Sequence, residues 1–551
     1  MKTTVTATAA LVAALSLPQL SLAERHTLTM NIQQVTSWVR NFNPYNETTR
    51  LRSTREFIYE PLAIYNVFEQ GQPYYRLAVA EAYSDDLMTF TYDLREGVQW
   101  SDGSPFTAAD VVFTFEMLKQ HPALDTGAIW NRLEAVEAEG DYRVHFHLSE
   151  VNTGIHLRLV DVPVVPEHIW SSVSDPVSFT NDNPVGTGPF TEIDRFTPQI
   201  YVQCANPTYW DAQAVKIDCL RFPQLATNDN TLAAAASGEL DWFGSFIPDI
   251  DRTYVSRNPQ HHKYWLPAGS MVAMIMNLET EHEGNREAFN DVNFRRAYSM
   301  AMDRAAQVNI AGYGYPTLND YASGLGELYA AWADAELREQ YLPFMSYDLD
   351  SARELLLNAG YQQNSNGFLS TPSGNSIEFD IIVPNGWTDW VNTVQIAAEG
   401  LQEIGINARV RTPEAAVWDQ SLINGNYDSA INSWLPGATP HRMLDNAFHS
   451  RFKDSTRFAA ARYHSDELDA LLDQFFTVTS LSEQQSLIHQ IEAIIAEDMP
   501  YVPVFNNPMW YQYNDSRFVG WWNADNPKGR PQPHAGNPER LLHLLDLSPR
   551  Q

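Results

Sequence analysis

Cysteine is nearly absent from this chain, with two among 551 residues. Positive charge is scarce too: 36 Lys and Arg stand against 68 Asp and Glu, a formal charge of −32. A field of that sign repels phosphate backbones, which excludes general binding to nucleic acid or an anionic membrane. Beyond the first two dozen residues no apolar run reaches spanning length, so no internal transmembrane helix is expected. The chain has no G-x-S-x-G elbow, no H-E-x-x-H, no Walker sequence and no Cys-x-x-Cys. Nothing in it therefore argues for an enzyme, a metal or a cofactor. The adjacent His261-His262 follows a polar Asn-Pro-Gln loop and reads as a solvated surface pair. With 68 carboxylates, some pair must stand at glycosidase-like spacing, so such pairs carry no information about hydrolysis.

What is present begins with a leader. Met1-Lys2 is a short basic start, an apolar and small-residue run follows to residue 22, and Ser21-Leu22-Ala23 fits a cleavage signal. We expect a secretory signal peptide over 1–23, cut after Ala23, with no cysteine near the cut to carry a lipid. In an exported chain Cys204 and Cys219 read as a disulfide stapling a small loop rather than as a redox or metal pair. Closing a loop of that size is worth about 3 kcal/mol. Hydrophobic residues make up 44% of the chain and aromatics 12%, enough for real cores and against an acidic disordered chain. At roughly 100 to 200 residues per domain the length predicts two to four domains.

From residue 28 to 196 short apolar strands alternate with turns; LAIYNVF, FTYDLREGVQW, YRVHFHL and PFTEIDRF are examples. Thr107 and Asp110 have capping-box spacing at the start of a helix, AADVVFTFEMLKQ. VNFRRAYSMAMDRAAQVNIAG has helical spacing, and SARELLLNAGY ends at Gly360 as a left-handed cap requires. SIEFDIIVP, WVNTVQIAAEGLQEIGI and NARVRT read as strand, helix and strand, which implies parallel pairing in an α/β layer. SEQQSLIHQIEAIIAED is a further amphipathic helix, followed by the strand YVPVFN.

Several ordered stretches resemble the large periplasmic solute-binding proteins of the peptide/nickel type, which serve ABC importers. They are FIYEPL (57–62, likened to an early helix), LREGVQWSDGSPFTAADVVFTFE (94–116), NPVGTGPF (183–190), NPTYWD (206–211), FRRAYSMAMDR (294–304) and DLDSARELLLNAGY (348–361). The resemblance implies an α/β, two-lobed periplasmic binding protein of the large cluster C type. In it the first lobe carries an inserted subdomain and the chain crosses the hinge twice. The expected divisions are the first lobe at 24–64, its inserted subdomain at 65–182, and the first lobe again at 183–282. The second lobe follows at 283–509, with a C-terminal return to the first at 510–551. Closure around a solute, transient docking to an inner-membrane ABC permease and a monomeric state are further implications.

Peptide binders of this type carry an aspartate in a W-x-x-D arrangement that pairs with the peptide's α-ammonium. Here the stretch is Trp434-Leu435-Pro436-Gly437, with glycine in the carboxylate's place; an ammonium buried without its counter-ion costs several kcal/mol. Asp445 lies further on. Other stretches resemble the chitin-oligosaccharide binders of marine gammaproteobacteria. These are SWVRNFNP (37–44), FIPDIDRTY (246–254), PNGWTDW (384–390), FVGWWNADNPKGRP (518–531) and NPERLLHLLDL (537–547). That likeness implies sugar contacts at Trp387 and Asp389, with Asn385 in the same stretch, at Phe458 in the RFA stretch, and at Arg40. An aromatic face covers the C–H face of a pyranose while a carboxylate accepts from its hydroxyl rim. The sequence departs from that group at His534, where a tryptophan platform is expected, and at Ser433 and Leu435, where an amide and a phenyl ring are expected. Trp434 and His534 are the candidate replacements. The expected ligand is a neutral β-linked oligosaccharide, chito-oligosaccharides first, then cello- or laminari-oligosaccharides. An oligopeptide is the alternative within the family, and a secreted glycoside hydrolase the alternative from another class.

Overall fold

The computed structural model describes residues 25–69, 71–434 and 436–551. The expected signal peptide and its cut after Ala23, like Leu435, lie outside the described residues.

Three sheets organise the chain. A seven-stranded sheet orders His262–Tyr264, Gln512–Asn514, Trp242–Phe243, Thr27–Asn31, Cys219–Pro223, Ile200–Ala205 and Phe190–Thr197. Thr27–Asn31 runs parallel to both of its neighbours there. A four-stranded antiparallel sheet, Ala78–Tyr83, Thr89–Leu94, Arg143–Leu148 and Leu133–Ala138, is inserted between strands of the first. The helix Ala108–Gln120 packs on it, its start fixed where Asp110 accepts from the Thr107 N–H at 2.9 Å. A six-stranded sheet builds the second lobe from Thr317–Leu318, Tyr501–Pro508, Ala268–Met276, Ser429–Ser433, Glu378–Ile382 and Asn407–Arg411. Glu378–Ile382 pairs in parallel with Asn407–Arg411 across the helix Thr388–Glu403, as the strand-helix-strand pattern requires. Each lobe has its own apolar core, so this is a two-lobed α/β binding-protein fold with mixed sheets.

The hinge is two antiparallel crossings side by side. Trp265 N–H donates to the Tyr511 carbonyl at 3.1 Å and Met509 N–H to the Pro267 carbonyl at 2.8 Å. The first crossing falls before Ala268, not at the expected 282–283, because Ala268–Met276 already belongs to the second lobe's sheet. Its apolar run suits either sheet, and only the pairing assigns it. The helix expected at 57–62 is instead an irregular turn. Arg55 is extended, Glu56 has φ 67°, and Pro61 follows closely. The long helix expected from Val292 stops at Met300 and resumes as short turns from Arg304. Cys204 and Cys219 face each other in register on neighbouring strands and form the disulfide. His262 is buried, stacked on Tyr254, which corrects the solvated pair; His261 contacts Asp515 at 2.7 Å.

Candidate functional site between the lobes

Both lobes turn the carboxyl ends of parallel strands toward one crevice, the place where such sheets receive ligands. Beyond Thr27–Asn31 and Trp242–Phe243 come Gln34 and Ser245; beyond Glu378–Ile382 and Ser429–Ser433 come residues 384–389 and Trp434. Asn228 bridges the gap. It opens the helix Asn228–Ala236, whose N-cap is Thr227. Its Nδ2 donates to Asp389 Oδ1 at 3.3 Å and to Thr388 Oγ1 at 3.4 Å, and its N–H to the Gly386 carbonyl at 3.2 Å. Behind it, Oδ1 accepts from Gln34 Nε2 and Ser245 Oγ, each at 2.9 Å. Gly386 is required at this contact: its φ is +82°, and a Cβ there would stand 2.5 Å from Thr227 Cγ2.

On the second lobe, Trp387 caps the helix Thr388–Glu403 and Asp389 lies in its first turn. Burial raises the Asp389 carboxyl to about 6, opposed by backbone N–H groups and the Asn228 amide. The Trp387 ring is 5.0 Å from Trp390 and 5.8 Å from Trp418. The Arg457 guanidinium lies 5.2 Å over Trp418 and 4.6 Å over Phe458, and the Phe458 carbonyl accepts from Trp434 Nε1 at 2.9 Å. One wall thus gathers Trp387, Asp389 and Phe458, with Trp434 behind Phe458. The Nε1 atoms of Trp387 and Trp418 are buried with no partner among the described residues.

The remaining candidates stand elsewhere. The Trp434 ring is 2% exposed and packs on Tyr501 in the second lobe's core, so it offers no open face. Asn385 is exposed. Arg40 donates to the Asp182 carbonyl at 3.0 Å and to Asn183 Oδ1 at 3.1 Å, and lies over Phe196, all groups of the first lobe. His534 is half-buried on the first lobe. Its Cε1 lies 2.7 Å from where a Gly244 Cβ would be, next to Ser245, and burial lowers its pKa to about 4. Asn228, Trp418 and Arg457 were not singled out from sequence. Asn228 reads as an ordinary helix start and Trp418 as one apolar position of a helix.

Asp445 is fully buried between Arg158 of the inserted subdomain and Arg451. Burial would raise its carboxyl, but the two guanidiniums hold it well below the usual range. This contact, with Arg442–Asp161 at 3.2 Å and Arg132–Asp473 at 3.5 Å, joins the lobes outside the crevice. Both carboxylate oxygens of Asp445 are thus engaged by guanidiniums of the protein itself. Among the described residues no group of three His, Cys, Asp or Glu side chains could hold a metal, and no helix is long and apolar enough to cross a membrane.

The family model described as bacterial extracellular solute-binding proteins, family 5 Middle, matches residues 72–455. The oligopeptide-binding protein AppA of Bacillus subtilis is 23% identical over 478 residues, covering 82% of this chain and 84% of AppA. The glutathione-binding protein GsiB of Escherichia coli K12 is 24% identical over 455 residues, covering 81% and 83%. The mannohexaose-bound periplasmic oligopeptide-binding protein of Thermotoga maritima superposes with a TM-score of 0.88 at 24% identity, covering 96% of this chain and 99% of that one.

Proposed function

The chain belongs to family 5 of the bacterial extracellular solute-binding proteins, and from that premise we propose that it is the periplasmic substrate-binding component of an ABC importer, capturing a small β-linked oligosaccharide as its lobes close. The observation that carries the ligand class is the pairing of Trp387 with Asp389. Half-buried Trp387 stands two positions before a buried carboxyl that, among the described residues, has an amide and no cation for a side-chain partner. A pyranose supplies the matching C–H face and hydroxyl donors. The mannohexaose of the Thermotoga maritima structure supports a sugar in this fold. Chito-oligosaccharides come first, cello- and laminari-oligosaccharides next.

The second reading is an oligopeptide, and the names of the relatives AppA and GsiB favour it over a sugar. On that reading Asp389, not Asp445, receives the α-ammonium. Calorimetric titration with chitobiose, cellobiose, laminaribiose and a tripeptide separates the two. Binding of one disaccharide with none of the peptide supports the first; tight peptide binding with no sugar binding overturns it. Shortened products after incubation with labelled oligosaccharides would instead reveal a hydrolase.

A further inference from the structure

The inserted subdomain makes its own seam with the second lobe. After the strand Arg143–Leu148 the chain turns through residues 152–161. Ile155 and Leu159, four positions apart, are buried in the core that the first lobe shares with its insert. Tyr83 Oη donates to the Asn152 carbonyl at 3.0 Å, so the turn is fixed on its own side. Its other face meets the second lobe, where Leu157 packs against the core. Thr153 donates to the Phe476 carbonyl twice, from its N–H at 2.7 Å and from Oγ1 at 3.0 Å. The Phe476 ring is held by Phe475 at 5.0 Å and His441 at 4.4 Å, and its edge lies against Gly154. A Cβ at Gly154 would stand 2.0 Å from Phe476 Cε1, and the backbone there is not left-handed, so glycine serves the close approach alone. Beside this contact Arg158 reaches Asp445, Arg442 lies 3.2 Å from Asp161 and Arg132 lies 3.5 Å from Asp473.

We propose that this seam is a clasp: the inserted subdomain docks on the second lobe and holds part of the population closed before any solute arrives. The contacts named above set donor against acceptor and guanidinium against carboxylate, and the chain supplies both sides of each. The crevice differs. There the Trp387 and Trp418 N–H groups are buried without a partner among the described residues, and a buried donor left unpaired costs free energy. The crevice side of the closed form is therefore incomplete without a solute, and the clasp is complete without one. A protein whose binding-competent form is only partly populated binds more weakly by that fraction. The clasp raises the fraction, so it tightens binding of every solute alike, while residues of the crevice decide which solute is taken. The inference rests on the reading of the chain as a binder whose lobes close.

Small-angle scattering and amide hydrogen exchange test the clasp on the full chain with no solute added. Gly154→Ala sets a methyl against the Phe476 ring when the lobes close, and the methyl is free once they part. It is expected to enlarge the radius of gyration and to speed exchange of the Thr153 amide by about tenfold or more. Gly127→Ala is the control in the same subdomain, since a Cβ there meets nothing within 4 Å; it is expected to change neither. Equal scattering and equal Thr153 exchange in wild type and Gly154→Ala overturn the clasp, as does an equal change in Gly127→Ala. Asp161→Lys turns the pair with Arg442 into a repulsion at a partly exposed position. It is expected to shift the scattering in the same direction, and adding Arg442→Asp to return it toward wild type. Should Gly154→Ala fail to fold, Asp161→Lys decides, and scattering like wild type overturns the clasp. Calorimetry with the two disaccharide classes and the tripeptide adds a check. Gly154→Ala is expected to weaken whichever solutes bind by one common factor of about threefold or more, and a changed order of preference overturns the clasp. If none binds, the ligand-class reading fails while the solute-free measurements still decide the clasp.

Discussion

Asp389 is 6% exposed, and burial lifts its carboxyl from 3.8 to about 6. Such a group favours folding in its protonated form. Its contribution is fully present below pH 3.8 and lost as the pH rises through 6, about 2–3 kcal/mol over the whole shift. Hydroxyl or ammonium recognition needs the opposite form, the ionised acceptor. We therefore expect affinity to fall as the pH drops below 6, approaching tenfold per unit, in calorimetry between pH 8 and 5. Asp389→Asn should flatten that profile, bind weakly throughout, and unfold at a higher temperature than wild type at pH 8 but not at pH 4. A wild-type profile flat across pH 6 would remove Asp389 from the site. The carboxyl is buried, and the scarcity of water around it strengthens any hydrogen bond that a ligand makes to it.

At the scale of elements, the turn 384–387 sets how closely the lobes approach. Gly386 presents its carbonyl to Asn228 and has no side chain to meet Thr227. Gly386→Ala places a methyl 2.5 Å from Thr227 Cγ2 and strains a backbone at φ +82°. We expect solute affinity to fall at least tenfold, with about 1 kcal/mol lost from the second lobe's stability. Thr227→Ser, which removes the colliding methyl, should recover part of the affinity in the double variant. No recovery would mean that the loss comes from the strained turn and from the Thr227 Cβ, which a Cβ at 386 still approaches to 2.9 Å. Helix ends were legible because their determinants are local. Asp110 reaches back three residues, and Gly360 has φ 93° where the helix Leu349–Asn358 stops. The segment 57–62 was not, because its path depends on Glu56 engaging Arg540, 484 residues away.

Across the whole molecule, the contacts that hold the lobes closed include the Asn228–Asp389 bridge and the ion pair of Arg158 with Asp445. The second involves Arg158, Asp445 and Arg451, and none of Trp387, Asp389 or Phe458. Removing Arg158 leaves Asp445 with Arg451 as its remaining partner, so the cost stays below the roughly 3–5 kcal/mol of an uncompensated buried charge. Here that cost falls on the closed form, since opening exposes Asp445 to water. Arg158→Ala is expected to weaken solute binding tenfold or more and to enlarge the radius of gyration in small-angle scattering, while each lobe stays folded. Unchanged scattering and affinity would make the pair a bystander to closure.

The sequence by itself determined the α/β class, most strands and helices, and the Cys204–Cys219 staple. These follow from periodicity, caps and short-range spacing, which act within a few residues. The tertiary structure alone decided which sheet owns Ala268–Met276. It also brought Asn228 to Asp389 across 161 positions and Arg158 to Asp445 across 287, and it turned Trp434 into the core while setting Arg457 over Phe458. Such contacts depend on how two lobes pack and close. The free energy of that packing is shared among many distant residues, so no local pattern in the chain announces it.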